Sequence, residues 1–247
     1  MAQVVVVTGS GRGLGKAMAE RFGAAGARVV VSYNTSAQGA EEAAAAIARS
    51  GGEALVQRCD VREYAQVEAL VNAAVDRWGR VDVLVNNSGE SFATWRDPSQ
   101  KLRVHETSEE EWQFVTSVVL TGTFHGIKAV APHMIQQRDG HIINVYSAAA
   151  LVGRWGYGPA SASRGGVLAL TKTAARELGE YNIKVNAVNP GFIVSEKHAV
   201  VESTTAFAQQ TVLGRGGDTA EFAEFVYRLA QMENVSGQGF NVENRIL

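Results

Sequence analysis

The sequence predicts an α/β fold, a doubly wound parallel sheet with helices on both faces. Three observations carry that expectation. Short β-branched runs alternate with longer amphipathic stretches along the whole chain, the pattern of strands joined by crossover helices. The runs are almost continuously apolar, as parallel strands buried on both faces are. The first run leads straight into a glycine-rich turn and a helix. The 247 residues are expected to form one domain, 1–247, a length that buries a large core.

Strands are expected at Val4–Thr8, Arg28–Ser32, Glu53–Arg58, Val81–Asn86, His141–Tyr146 and Lys184–Asn189, with a last short one at Phe240–Val242. Each is a Val- or Ile-rich run of strand length. Between them the helical period places helices at Gly13–Ala25, Ala37–Ser50, Glu63–Trp78, Ser108–Gln137, Pro159–Tyr181 and Thr219–Met232. Ser108 with Glu111 and Asp218 with Glu221 have capping-box spacing at two of these starts. Two long segments, Ser88–Thr107 and Glu196–Gly217, follow strand C-terminal ends, where open parallel sheets bind ligands.

Bulk properties exclude some functions. The net charge of −2 supplies no field for nucleic acid or an anionic membrane. No apolar run approaches the roughly 20 residues of a membrane span. The single cysteine, Cys59, allows no internal disulfide. The opening Met1-Ala2-Gln3 runs directly into the first strand, too short a start for a secretory leader. A cytoplasmic location is expected, with no nucleic-acid or membrane partner.

The turn after the first strand carries Gly9, Ser10, Arg12, Gly13, Leu14 and Gly15. Glycines there let backbone N–H groups approach a pyrophosphate at the positive end of the following helix. This is the phosphate-binding turn of a Rossmann-type dinucleotide fold, although a glycine-rich turn without a ligand has the same composition. The second strand ends in Ser32-Tyr33-Asn34-Thr35-Ser36, with no carboxylate before Glu41. A carboxylate there would bind the ribose hydroxyls and repel a 2′-phosphate. Its absence, with Arg12 at hand to neutralise a phosphate, favours NADP(H) over NAD(H). Asn34 and Thr35 are the candidate contacts, and the same residues can simply form a polar turn and cap the next helix.

Taken together, Thr8–Gly15, Cys59-Asp60-Val61, Asn86-Asn87-Ser88-Gly89, Ile142–Ser147, Asn189-Pro190-Gly191 and Ser236-Gly237-Gln238 resemble the short-chain dehydrogenase/reductase family. The resemblance, especially to its 3-oxoacyl-acyl-carrier-protein reductases, extends over nearly the whole chain. The resemblance implies that Asp60 and Val61 border the adenine, and that Asn87 and Gly89 lie by the ribose and nicotinamide. It also implies that Pro190, Gly191 and Ile193 flank the nicotinamide, with Ser195 where threonine is common. Ser88 stands where the family pattern has alanine.

Members of the family move a hydride between nicotinamide and a carbonyl or alcohol carbon. The resemblance implies four proton-handling positions: a serine, a tyrosine, a lysine four residues on, and an asparagine in the middle helix. Here they fall on Ser147, Ala160, Arg164 and Val119, so three of the four are changed. Ala160 has no proton to give. Arg164 keeps a charge for ribose hydroxyls. Tyr157, three residues before Ala160, belongs to a loop and is expected to point elsewhere. Tyr146, next to Ser147 on a strand, is expected to face the opposite side. His125 and His133 lack metal-pair spacing and are expected at a surface or interface, His105 and His141 stand alone, and Glu90 is a candidate pocket-lining carboxylate.

These residues leave three readings open. The first is a catalytically impaired subunit of a homo- or hetero-oligomer, as a tetramer with an intact paralogue acting on a small-molecule or acyl-thioester substrate, for instance in secondary metabolism. The second is an active NADP(H)-dependent oxidoreductase that takes its proton from water or substrate. The third is a non-redox enzyme or a cofactor-binding sensor. Relatives that expel halide from halohydrins also carry arginine in the lysine position, but they keep the tyrosine and lose the glycine turn.

Overall fold

A computed structural model describes residues 2–89, 102–193 and 211–247. Seven parallel strands form one sheet in the order β3-β2-β1-β4-β5-β6-β7. They are β1 (Val4–Val7), β2 (Arg28–Tyr33), β3 (Glu53–Arg58), β4 (Val83–Asn86), β5 (Gly140–Val145), β6 (Ile183–Asn189) and β7 (Gly239–Asn241). Their registers run from Val4 opposite Arg28 to Asn189 opposite Asn241. The strand order turns back between β1 and β4, which opens a crevice at their C-terminal ends.

The helices are α1 (Gly13–Ala24), α2 (Ala37–Arg49), α3 (Tyr64–Trp78), α4 (Glu109–Thr116), α5 (Gly122–Gln137), α6 (Ala149–Val152), α7 (Gly158–Leu178) and α8 (Thr219–Leu229). Alternation along β1 shows how the layers form. Val4 and Val6 face the core shared with α3, α5 and α7, and Val5 and Val7 face the core shared with α1, α2 and α8. Phe22, Ile47, Leu70, Met134 and Phe222 are fully buried between sheet and helices, each worth about 1.5–3 kcal/mol. The ion pair of Arg21 with Glu224 clamps α1 to α8, and Glu224 also pairs with Arg228 one turn on within α8.

Several expected boundaries move for local reasons. The middle helix, expected as one piece, is α4 and α5 joined by a π segment at Ser117–Thr121, a departure that favours functional positions. Its whole length, Glu109–Gln137, has the length and composition to cross a membrane. That makes it more apolar than the sequence reading allowed, and half of the window is buried within the fold, as a core helix is. The expected strand start at Val81 shifts to Val83 because Val81 bonds the Gln137 side chain and the Asp82 carboxylate accepts from the Val4 N–H at 2.7 Å. The expected caps form at Ser108, which accepts from Glu111 N, and at Asp218, which accepts from Ala220 N. Ser36 does not cap α2 with its side chain. Its hydroxyl donates to the Gly11 carbonyl instead, at 3.1 Å.

Candidate functional site

The expected cofactor and catalytic residues that are described all follow the C-terminal ends of β1 to β6 or lie on α7 beside them. The glycine turn comes first. Gly9 has φ +63°, a left-handed conformation that favours glycine. A Cβ on Gly15 would overlap the Gly9 carbonyl and lie 2.5 Å from Asn87 Nδ2. Asn87 in turn donates to the carbonyls of Thr8 and Gly9 at 2.9 and 3.2 Å, and Thr8 Oγ1 accepts from the Asn87 and Ser88 N–H groups. The turns after β1 and β4 are therefore one hydrogen-bonded unit. Ser10 is fully buried, and its hydroxyl donates to Val7 O and accepts from Ser32 N. Its hydroxyl is spent on shaping the turn.

Arg12 is exposed at the N-cap of α1, and no side chain caps the helix there. The first N–H groups of α1 are left for an anion. Together with the close approach at Gly15, this fits a dinucleotide pyrophosphate, with Leu14 packed below against the core. Asn34 and Thr35 are exposed after β2, and Arg58 Nε donates to the Asn34 carbonyl at 3.2 Å. The Asp60 carboxylate is held below the usual range by its hydrogen bonds from Arg62. Val61 is buried, and its carbonyl accepts from His125 Nδ1 at 2.9 Å. That bond corrects the expectation for His125, which is half-buried and ties α5 to the turn after β3. Burial pushes the Cys59 thiol up to about 12, so it is not a reactive group.

The second half of the site is a cavity of about 180 Å³. All four proton-handling positions line it: Ser147, Ala160, Arg164 and Val119. Ser147 follows β5, Ala160 sits in the first turn of α7, and Val119 enters from the π segment. Below the cavity a buried chain fixes these elements. Asn86 donates to Asn144, Asn144 donates to Thr171, and Thr171 donates to Val167 O, each at 2.8–2.9 Å. Arg164 Nη1 donates to Val145 O at 2.8 Å, and a Cβ on Gly89 would fall 2.5 Å from Nη2. The bare face of Gly89 is what leaves room for the guanidinium. Burial pulls Arg164 down to about 10, so it remains a cation at neutral pH.

Tyr157 also lines the cavity, contrary to the expectation that it points elsewhere. It is the N-cap of α7, and the Arg154 guanidinium lies 5.0 Å from its ring centre. Tyr146 faces away as expected: it is buried and its hydroxyl donates to Asn241 Oδ1 at 2.7 Å. Asn241 also accepts from Asn189, which donates to Glu243 as well, and Glu243 pairs with Arg245. This network brings the C-terminal tail against the Pro190-Gly191 turn, so that Gly191, Phe192 and Arg245 wall the cavity. Ile193 bridges to Gly217. Arg154 and Arg245 went unremarked in the sequence. Arg154 had a signal, its place between Ser147 and Ala160, whereas Arg245 reaches the site only through the fold of the tail. Glu90 and Ser195 lie outside the described residues.

A family model described as "short chain dehydrogenase" matches residues 3–206. The chain belongs to the short-chain dehydrogenase family. A 3-oxoacyl-[acyl-carrier-protein] reductase from Synechocystis is 39% identical over 98% of this chain and 96% of its own length. A 3beta-hydroxysteroid dehydrogenase from Eggerthella lenta is 38% identical over 90% of this chain and 84% of its own. Among solved structures, acetoin dehydrogenase from Salmonella typhimurium superposes with a TM-score of 0.88 at 29% identity, covering 99% of this chain and 96% of that one. An NAD+-bound xylitol dehydrogenase gives 0.87 at 27%, with 98% of both chains covered. The chain is thus related to oxidoreductases that use a nicotinamide cofactor, and to 3-oxoacyl-acyl-carrier-protein reductases among them.

Proposed function

We propose that this chain is an NADP(H)-binding subunit of a short-chain dehydrogenase assembly whose own proton-transfer site is retired. The observation that carries the reading is the make-up of the 180 Å³ cavity, where Ser147 faces alanine at 160, arginine at 164 and valine at 119. When bound, the nicotinamide supplies or accepts the hydride. The chain's own groups must then hold the carbonyl and deliver a proton to its oxygen. Ser147 can hydrogen-bond the oxygen. Neither Ala160 nor Val119 can move a proton or anchor a water. Loss of general acid catalysis lowers rate by about 10²–10⁴-fold.

NADP(H) over NAD(H) is supported by the absence of a carboxylate between β2 and Glu41, by Arg58, which bonds the Asn34 carbonyl, and by exposed Arg12, which follows Gly11, the residue that Ser36 bonds. Assembly is supported by large apolar side chains left exposed on the middle helix, Trp112 at 39% and Phe124 at 46%. The expected partner is an intact paralogue in a tetramer, with an acyl thioester as substrate and a single 1–247 domain in the cytoplasm. In the test, the purified chain is assayed for NADPH oxidation with 3-oxoacyl thioesters, alone and mixed with an intact family member from its host. Binding of NADPH without turnover, and a rise in oligomer mass and rate on mixing, is the expected result. Full turnover alone, or no change on mixing, contradicts it.

A second reading has one observation in its favour, the presence of Tyr157 in the cavity wall. In it Tyr157 gives the proton from three residues before the usual position. Turnover by the chain alone that Tyr157→Phe abolishes would establish it.

A further inference from the structure

The cavity beside Ser147 has an unusual charge balance. Arg154, Arg164 and Arg245 all line it, and no carboxylate does among the described residues. The three are not equivalent. Arg245 is committed to Glu243, and Arg154 lies against the Tyr157 ring. Arg164 makes one hydrogen bond, from Nη1 to the Val145 carbonyl, and forms no ion pair among the described residues. A guanidinium has five N–H donors in a planar fork. Arg164 is half-buried, and a cation drawn partly out of water with N–H donors to spare is suited to meet an anion.

The bare face of Gly89 leaves room for the guanidinium. Ala160 lines the same cavity with only a methyl group, where a larger side chain would take up its space. A volume of 180 Å³ is far more than one water needs and less than a whole drug-sized ligand takes. It suits a small planar head group. Cofactor ribose hydroxyls, the other candidate partner of Arg164, are neutral and leave its charge uncompensated. A carboxylate would take two parallel hydrogen bonds from the fork.

We infer that this cavity binds the carboxylate of a small acidic ligand, with Arg164 as its direct partner and Ala160 providing the space. The inference concerns binding. It holds whether or not the chain turns over its cofactor, so its failure is separate from failure of the proposed function.

The probes are succinate, its mono-amide and its neutral diamide, titrated calorimetrically into the full chain with and without saturating NADPH. Succinate is expected to bind about tenfold or more tightly than the diamide, with a preference that shrinks as salt is raised. Arg164→Gln should abolish the preference and Arg164→Lys should keep part of it. Ala160→Tyr, which fills the space and leaves Arg164 in place, should weaken succinate and leave NADPH binding within about twofold. Thermal melts establish that each variant is folded, and if Arg164→Gln does not fold, Ala160→Tyr decides alone. Equal affinity for acid and diamide, no binding of either, or a preference that survives Arg164→Gln overturns the inference. So does an Arg164→Gln variant that loses NADPH affinity and keeps its preference for succinate, because Arg164 would then be a cofactor ligand only.

Discussion

Around the switch point between β1 and β4, Thr8, Gly9, Gly15 and Asn87 interlock through backbone and amide hydrogen bonds. Around β5, β6 and α7, the wall includes alanine, valine and an arginine with a single hydrogen bond among the described residues. The first region keeps the backbone geometry a dinucleotide needs. The second keeps its scaffold, the Asn86–Asn144–Thr171 chain, and on the proposed reading it has no side chain to move the proton at 160 or 119. Binding depends on backbone shape, which a substitution rarely leaves intact without cost. Proton transfer depends on a few side-chain tips, which can go while the fold stays.

The largest expected effect comes from rebuilding the second region. Ala160→Tyr, Arg164→Lys and Val119→Asn combined should raise NADPH-dependent ketone reduction by about 10²–10⁴-fold over the natural chain, read by steady-state kinetics on a protein whose melt is unchanged. No gain would mean that the cavity differs from an active one in more than these tips. Next is the first region. Gly15→Ala drives a Cβ into the Gly9 carbonyl, and should cost about 1–3 kcal/mol in urea unfolding and abolish NADPH binding. A variant that still binds NADPH normally would show that the turn is not the pyrophosphate cradle.

Gly89→Ala tests where the regions touch. Its Cβ would meet the far end of the Arg164 side chain, which can swing, so stability should fall by less than about 1 kcal/mol. Ligand binding that depends on Arg164 should weaken, and unchanged binding would detach Arg164 from the site.

The smallest effect lies away from both regions. His141 is buried with neither ring nitrogen hydrogen-bonded, and burial, aided by Lys184, holds its pKa below 6.5. Lys184 is paired there with Asp139 and Glu233. The unfolded chain therefore takes up a proton below about pH 6.5 that the folded chain refuses. Stability should be full above that pH and decline as pH falls through it, and His141→Leu should flatten the decline in urea melts. An unchanged pH profile in His141→Leu would exclude this histidine as the cause.

Much of this contrast was legible in the sequence. Continuous valine runs gave the strands, the turn around Gly13 gave the cofactor end, and the family resemblance gave Ala160, Arg164 and Val119. Less legible was whatever tertiary packing decides. The π segment at Ser117–Thr121 has no local sequence signal. Tyr157 was expected to face away because it precedes the helix, yet the N-cap geometry of α7 turns it into the cavity. Arg245 enters only because Asn189 and Glu243 hold the C-terminal tail beside Gly191.

The central claim is that cofactor binding survives in a chain that cannot deliver the proton. Its most direct test is one sample of the purified chain, in which NADPH binding is followed by fluorescence and NADPH oxidation by absorbance across a panel of 3-oxoacyl thioesters. The account predicts saturable binding with no oxidation above the uncatalysed rate. Oxidation at the rate of an intact family member, lost on Tyr157→Phe or Ser147→Ala, would contradict it.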